Sequence, residues 1–157
     1  MSVLVFADSN NGAIAKSAQE AIHYGSKIGE TTVITYGDVD DSALAALGSY
    51  GASKVLINKT ITEFDGQKLS KLVSAAAESV EVIVFAMDFS GKSISSRVAA
   101  GLNAGMVSGA LSLPDTSNGF IIKKAVFSGK AFANCKINSA KKVIALMPNS
   151  IQVETSD

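Results

Sequence analysis

The chain is expected to fold as a three-layer α/β/α structure, a parallel sheet between helices that ends in antiparallel C-terminal strands. Three observations predict it. Short apolar runs alternate with segments of helical period from the N-terminus to about Gly105. Loops rich in Asp, Asn, Ser and Gly separate them. Beyond Gly105 the helical segments stop, and strand-like runs follow one another through short connections. Alternating strand and helix implies parallel strands with right-handed crossovers, whereas short connections imply antiparallel neighbours.

Residues 3–7 form the first apolar run, and residues 8–12 (Asp-Ser-Asn-Asn-Gly) form its loop. The helix predicted next carries Ile14, Ala18, Ala21, Ile22, Gly25 and Ile28 on one face. Lys16, Gln19, Glu20 and His23 fall elsewhere on that helix, with His23 at its solvent edge. Residues 32–36 give a second strand. A short alanine-rich helix with Leu44 and Leu47, capped by Asp41 or Ser42, leads to a third strand at 54–57. After a loop over 58–66, Leu69, Leu72, Val73, Ala76, Ala77 and Val80 follow the i, i+3, i+4 rule of an amphipathic helix.

Residues 82–86 (Val-Ile-Val-Phe-Ala) are apolar throughout, as in a strand buried on both faces. Asp88, Ser90, Gly91, Lys92 and Ser93 interrupt, and Ile94, Val98 and Leu102 then recur at helical spacing. Residues 106–113 run to Pro114, and 115–119 are a turn cluster. The runs 120–127, 131–137 and 142–147 read as strands joined by three-residue and four-residue links.

The 157 residues suit one domain with a real core, and 47% are hydrophobic. Lys+Arg and Asp+Glu both number 14. That balance gives no electrostatic reason to expect nucleic acid or an anionic membrane as partner. No apolar run is long enough to cross a membrane, and the first residues lack the basic region of a signal or transit peptide. A soluble cytoplasmic protein is expected. One cysteine and one histidine leave no internal disulfide and no zinc set.

Residues 86–93 (Ala-Met-Asp-Phe-Ser-Gly-Lys-Ser) come within one glycine of the phosphate-cradling pattern G-x-x-x-x-G-K-[ST]. On that reading Gly91, Lys92 and Ser93 hold ATP phosphates and Mg²⁺. On the plainer one Lys92 is solvated and Ser93 caps the helix. Asp8, at the carboxyl end of the first strand, stands where α/β folds place ligand-contacting acids. It is read here as closing a turn or capping the first helix. Cys135 alternates with Ala133 and Ile137 as a buried structural thiol. Arg97 suits a helix salt bridge, and Lys123 and Lys124 point to opposite faces of a strand. No catalytic constellation and no metal cluster stands out.

Several strings occur in one order along nearly the whole chain. Val3-Leu-Val-Phe-Ala-Asp8 precedes Asn11-Gly12, and Gly51-Ala-Ser-Lys-Val-Leu56 follows. Next come Phe89-Ser-Gly-Lys-Ser-Ile-Ser-Ser-Arg-Val-Ala-Ala100 with Leu102, then Phe127-Ser-Gly-Lys-Ala131 and Lys142-Val-Ile. Together they resemble the N-terminal domain of the electron-transfer flavoprotein alpha subunit. Phe127, Ser128 and Lys130 depart from the Tyr-Ala-Gly-Asn-Ala turn of that family, so no contact is carried over to Lys130.

The resemblance implies a Rossmann-like fold of the adenine-nucleotide alpha-hydrolase-like kind over residues 1–150. Residues 151–157 would be a tail, or the start of a linker to a FAD-binding domain absent from this sequence. It implies a scaffold and subunit-interface domain of a heterodimeric electron carrier. That carrier takes electrons from acyl-CoA and other dehydrogenases, as in fatty acid β-oxidation, and passes them to a quinone oxidoreductase. FAD belongs to the full-length protein and is not expected to bind this stretch, which should have no catalytic, cofactor or metal residues of its own. The expected partner is the beta subunit, which in the family holds AMP. The residues alone also admit a small ATP- or AMP-binding protein using loop 86–93 with Asp8, or a stand-alone binder of the universal stress type.

Overall fold

The computed structural model describes residues 1–155. Its centre is an eight-stranded sheet. The strands in chain order are β1 (Ser2–Phe6), β4 (Glu30–Tyr36), β5 (Lys54–Asn58), β6 (Val82–Ala86), β7 (Gly105–Ala110), β8 (Ile121–Val126), β9 (Ala131–Lys136) and β10 (Lys142–Leu146). Two further strands of two residues each, β2 (Ser9–Asn10) and β3 (Ala13–Ile14), form a separate hairpin. Across the large sheet the order is β5-β4-β1-β6-β10-β7-β8-β9. The first six in that order pair parallel, and β8 and β9 add antiparallel at one edge.

Period-two alternation sends each parallel strand into two cores. In β1, Val3 and Val5 face one side, and Leu4 and Phe6 the other. On the first side lie α1 (Lys16–Ser26), through Ala18, Ala21 and Ile22, and a 3-10 helix (Ala46–Tyr50), through Leu47. Phe120, Ile122 and Ile137 join them from the C-terminal hairpin. On the second side lie α3 (Gly66–Ala76), through Leu69 and Val73, and α4 (Phe89–Gly101), through Ile94 and Val98. The short helix α2 (Asp41–Ala45) buries none of its residues. The expected three layers, the parallel sheet and the antiparallel C-terminal strands are all present.

Helix ends follow their local chemistry. Asp65 caps α3 by accepting from the Gln67 and Lys68 amides, both at 3.0 Å. At the other end the Lys141 ammonium donates to the carbonyls of Ala77, Glu78 and Val80 at 2.7, 2.8 and 2.9 Å. Asp88 caps α4, accepting from the Gly91 amide at 2.8 Å.

Three expectations are corrected. Ile14 belongs to β3, not to the first helix, because Asn11 (φ 50°) and Gly12 (φ 79°) make a tight left-handed turn between β2 and β3. The helix starts only at Lys16, and its N-terminal flank, Ala15, makes no side-chain cap. His23 is buried, at 6% exposure, rather than at the solvent edge, and Glu20 on the same helix is buried too. The chain after β10 returns over α1, where the Asn149 amide donates to Glu20 at 2.8 Å and Ile151 packs on the core. Burial, with the Lys27 ammonium beside it, holds the His23 imidazole below its ordinary range. Strand β10 does not extend the antiparallel edge. It lies between β6 and β7, parallel to both. In the segment expected to be a tail or linker, Ile151 packs on the core and Glu154 lies 3.7 Å from the Lys27 ammonium, and residues 156–157 lie outside the described residues.

Candidate functional site

Strand order in the parallel part reverses between β1 and β6, since β4 and β5 extend to one side of β1 and β6 lies on the other. At such a switch point the loops after neighbouring strands diverge and leave a crevice above the carboxyl ends. The loop after β1 brings Asp8, the turn after β6 brings Asp88, and the first turn of α4 brings Ser90. The carboxyl end of β4 contributes Tyr36.

Asp8, Ser9, Tyr36 and Ser90 form one hydrogen-bonded set, and Asp88 has partners of its own. The Asp8 carboxylate accepts from the Tyr36 hydroxyl at 2.7 Å and the Ser9 amide at 3.0 Å on Oδ1, and from the Ser90 hydroxyl at 2.5 Å on Oδ2. The Ser9 hydroxyl donates to the Tyr36 carbonyl. Asp88 Oδ2 accepts from the Ser17 hydroxyl at 2.7 Å. Tyr36 stays protonated far above neutrality. Burial is the main cause, followed by its bond to Asp8 and the charges of Asp8 and Asp88. Its ring stacks on Phe6, with centroids 6.2 Å apart.

Beside this set opens a pocket of about 360 Å³ lined by Asp8, Asn11, Tyr36, Glu63, Phe64 and Phe89, among others. Phe64 and Phe89 stand at its rim with ring centroids 5.8 Å apart. Phe89 is 78% exposed although it opens α4.

Residues 86–93 are not a loop. Only Met87 and Asp88 separate β6 from α4, so Gly91, Lys92 and Ser93 lie in the first turns of the helix. The Gly91 amide is taken by Asp88. A Cβ on Gly91 would stand 1.7 Å from the Ala86 carbonyl oxygen. Glycine is needed there because the helix backbone sits on the strand end. Lys92 is exposed, and the Ser93 hydroxyl donates back to the Phe89 carbonyl at 2.8 Å, so Asp88 is the cap and not Ser93. Asp8 caps no helix. It ties β1 to β4 and α4.

Of the four candidates, the structure brings Asp8 and Gly91 to the same strand ends, whereas Lys92 is exposed, Ser93 bonds the Phe89 carbonyl, and neither lines the pocket. Tyr36, Ser17 and Ser90 were missed. They come from three distant segments, and no spacing in the sequence links them. Elsewhere, Arg97 is exposed on α4 without an ion pair among the described residues. The Lys130 ammonium sits over the Phe127 ring, 5.4 Å from its centroid. Cys135 is half-buried against the core. Among the described residues no cluster of three His, Cys, Asp or Glu side chains could hold a metal, and no helix is long and apolar enough to cross a membrane.

The pocket does not suit a flavin or nucleotide pyrophosphate. Its lining holds Asp8 and Glu63 and neither lysine nor arginine, so it offers an anionic group no opposite charge.

Comparison with known proteins gives a consistent picture. Residues 3–157 match the family described as electron transfer flavoprotein domain. The chain is 28% identical to the electron transfer flavoprotein subunit alpha of Bacillus subtilis over 163 aligned positions, covering 99% of this chain and 50% of that protein. It is 22% identical to the subunit alpha of Syntrophomonas wolfei, covering 95% and 49% of the two chains. It is 28% identical to that of Pseudomonas aeruginosa, covering 93% and 48%. The chain thus spans about half the length of the curated relatives it matches. With the matched residues taking in every strand and helix of the sheet, the chain belongs to the electron transfer flavoprotein family.

Proposed function

We propose that this chain is a scaffold and subunit-interface domain of a heterodimeric, FAD-containing electron carrier. The observation that carries the reading is the family match over residues 3–157, against relatives named as alpha subunits and about twice as long. In this reading FAD is held outside these residues. The carrier takes electrons from acyl-CoA and other dehydrogenases, hands them to a quinone oxidoreductase and works in the cytoplasm. The chain contributes shape and contact, and performs no bond chemistry of its own.

The C-terminal hairpin supports a contact role. β9 is the last strand of the sheet, so its outer backbone edge is open to another chain. Phe127 and Phe132 on this hairpin are 77% and 63% exposed. Large exposed apolar residues grouped on one feature mark interaction surfaces. The test is to mix the chain with an electron transfer flavoprotein beta subunit and measure mass by light scattering after gel filtration. A one-to-one complex, weakened by Phe132→Asp, is expected. A beta subunit that leaves the chain monomeric overturns the reading.

The same samples test the adenine-nucleotide alternative, which rests on the sequence pattern over residues 86–93. Any ligand at about 100 times its dissociation constant adds roughly 2.7 kcal/mol, a readily seen shift in melting temperature. The scaffold reading expects none with Mg-ATP, AMP or FAD. A Mg-ATP shift abolished by Lys92→Ala would establish the alternative.

A further inference from the structure

We propose that the pocket beside Asp8 receives an arginine side chain presented by a partner polypeptide. Three features of the pocket converge on this occupant.

The first is charge. Asp8 and Glu63 line the pocket, and no lysine or arginine does. The ion pairs among the described residues are Lys27–Glu154 and Lys68–Asp65, so neither lining carboxylate is paired with a cation among them. Asp8 accepts three hydrogen bonds, two on Oδ1 and one on Oδ2. A carboxylate offers about four acceptor sites, which leaves Oδ2 able to take one more donor. The negative field reaches Tyr36, whose hydroxyl is held protonated partly by the Asp8 and Asp88 carboxylates. Anions are therefore disfavoured. A bare divalent cation is also disfavoured, because no third carboxylate, histidine or cysteine joins the two.

The second is the rim. The rings of Phe64 and Phe89 meet at 5.8 Å, with an interplanar angle of 55°, beside the carboxylates. A guanidinium is planar, donates up to five hydrogen bonds and is weakly hydrated. It lies on an aromatic face while bonding a carboxylate, which an ammonium does less well.

The third is openness combined with apolar surface. An exposed pocket holds a free guanidinium poorly, since exposed ion pairs contribute little. Phe89 projects beyond the carboxylates at 78% exposure. It supplies apolar contact that only the neighbours of an arginine in a polypeptide can use. The pocket lies above the strand ends, whereas the β8–β9 hairpin joins the core on the α1 side. Loss of one surface need not affect the other.

The experiment is titration of the isotopically labelled full chain, followed by amide resonances, with the peptide acetyl-Leu-Arg-Leu amide. Saturable shifts are expected at Ser9, Asn11, Glu63, Phe89 and Ser90. Replacing the arginine by neutral citrulline should weaken binding at least about 5-fold. Glu63→Gln and Phe89→Ala should each weaken it about 3-fold. Both are exposed positions, and unchanged spectra elsewhere establish that the variants fold. Guanidinium chloride at equal concentration should bind more weakly than the peptide. Equal affinity for the citrulline peptide, or for guanidinium alone, overturns the proposal. So does AMP shifting these resonances where the arginine peptide does not. Complex formation with the beta subunit reads out separately, so failure here is distinguishable from failure of the scaffold reading.

Discussion

Gly91 shows how one residue supports two unrelated explanations. In the sequence it is the glycine of a near phosphate loop. In the structure its missing side chain makes room for the Ala86 carbonyl oxygen, 1.7 Å from where a Cβ would stand. The two explanations predict opposite behaviour without ligand. Close packing predicts that Gly91→Ala pushes α4 off the end of β6 and costs about 3 kcal/mol or more, seen as a lowered urea midpoint. Lys92→Ala, at an exposed position, should stay within about 0.5 kcal/mol of the parent. A parent-like midpoint for Gly91→Ala would falsify the packing account. The ambiguity is physical. A glycine required by a backbone contact and one required by a phosphate leave the same letter, and only the position of the Ala86 carbonyl separates them. Asp8 was legible as an acid at a strand end. Its donors were not, because Tyr36 and Ser90 lie 28 and 82 residues away.

At the scale of elements, helix period was the most reliable signal. The stripe of Leu69, Val73 and Ala77 lies in one core as its spacing predicts. Helix ends were less legible. Asp65, the N-terminal cap of α3, was read only as part of the loop over 58–66, and the bonds at the other end come from Lys141, more than sixty residues on. Its ammonium bonds three carbonyls where the chain leaves the helix, and of these Ala77 also accepts from the Val80 amide. Lys141→Met keeps the length of the stem and removes the donors. It should cost about 2 kcal/mol in urea or thermal unfolding. Hydrogen exchange should quicken most in the last turn of α3. Parent-like stability with unchanged exchange there would show that water caps the helix equally well. The Asn11-Gly12 pair illustrates the converse error. The pair is a strong turn signal, yet the sequence reading gave the residues beyond it to a helix, because Ile14 happened to match the helical face.

At the scale of the molecule, the layers follow from alternation within strands, which is why the fold class was legible. Each parallel strand feeds both cores, so neither core should melt alone. Ile22→Ala on one side and Leu69→Ala on the other should each cost about 2–5 kcal/mol. Their effects should add to within about 0.5 kcal/mol. Far-ultraviolet circular dichroism and tyrosine absorbance should report one coincident transition for all variants. Separate transitions on the two sides would refute this shared-sheet picture. The position of β10 was not legible. A short link was read as evidence for antiparallel neighbours, but strands joined by a short link need not pair. The β8–β9 hairpin returns the chain to where β10 begins without occupying the place beside β6.

That placement bears on how the chain comes off the ribosome. Of this sheet's strands, the last in chain order closes its middle, between β6 and β7. Until residues 142–146 emerge, two central strand edges stand open, each a template for pairing with another nascent chain. Most of this molecule must therefore wait, unfinished at its centre, for a few late residues, and crowded synthesis is where it is most exposed to mispairing.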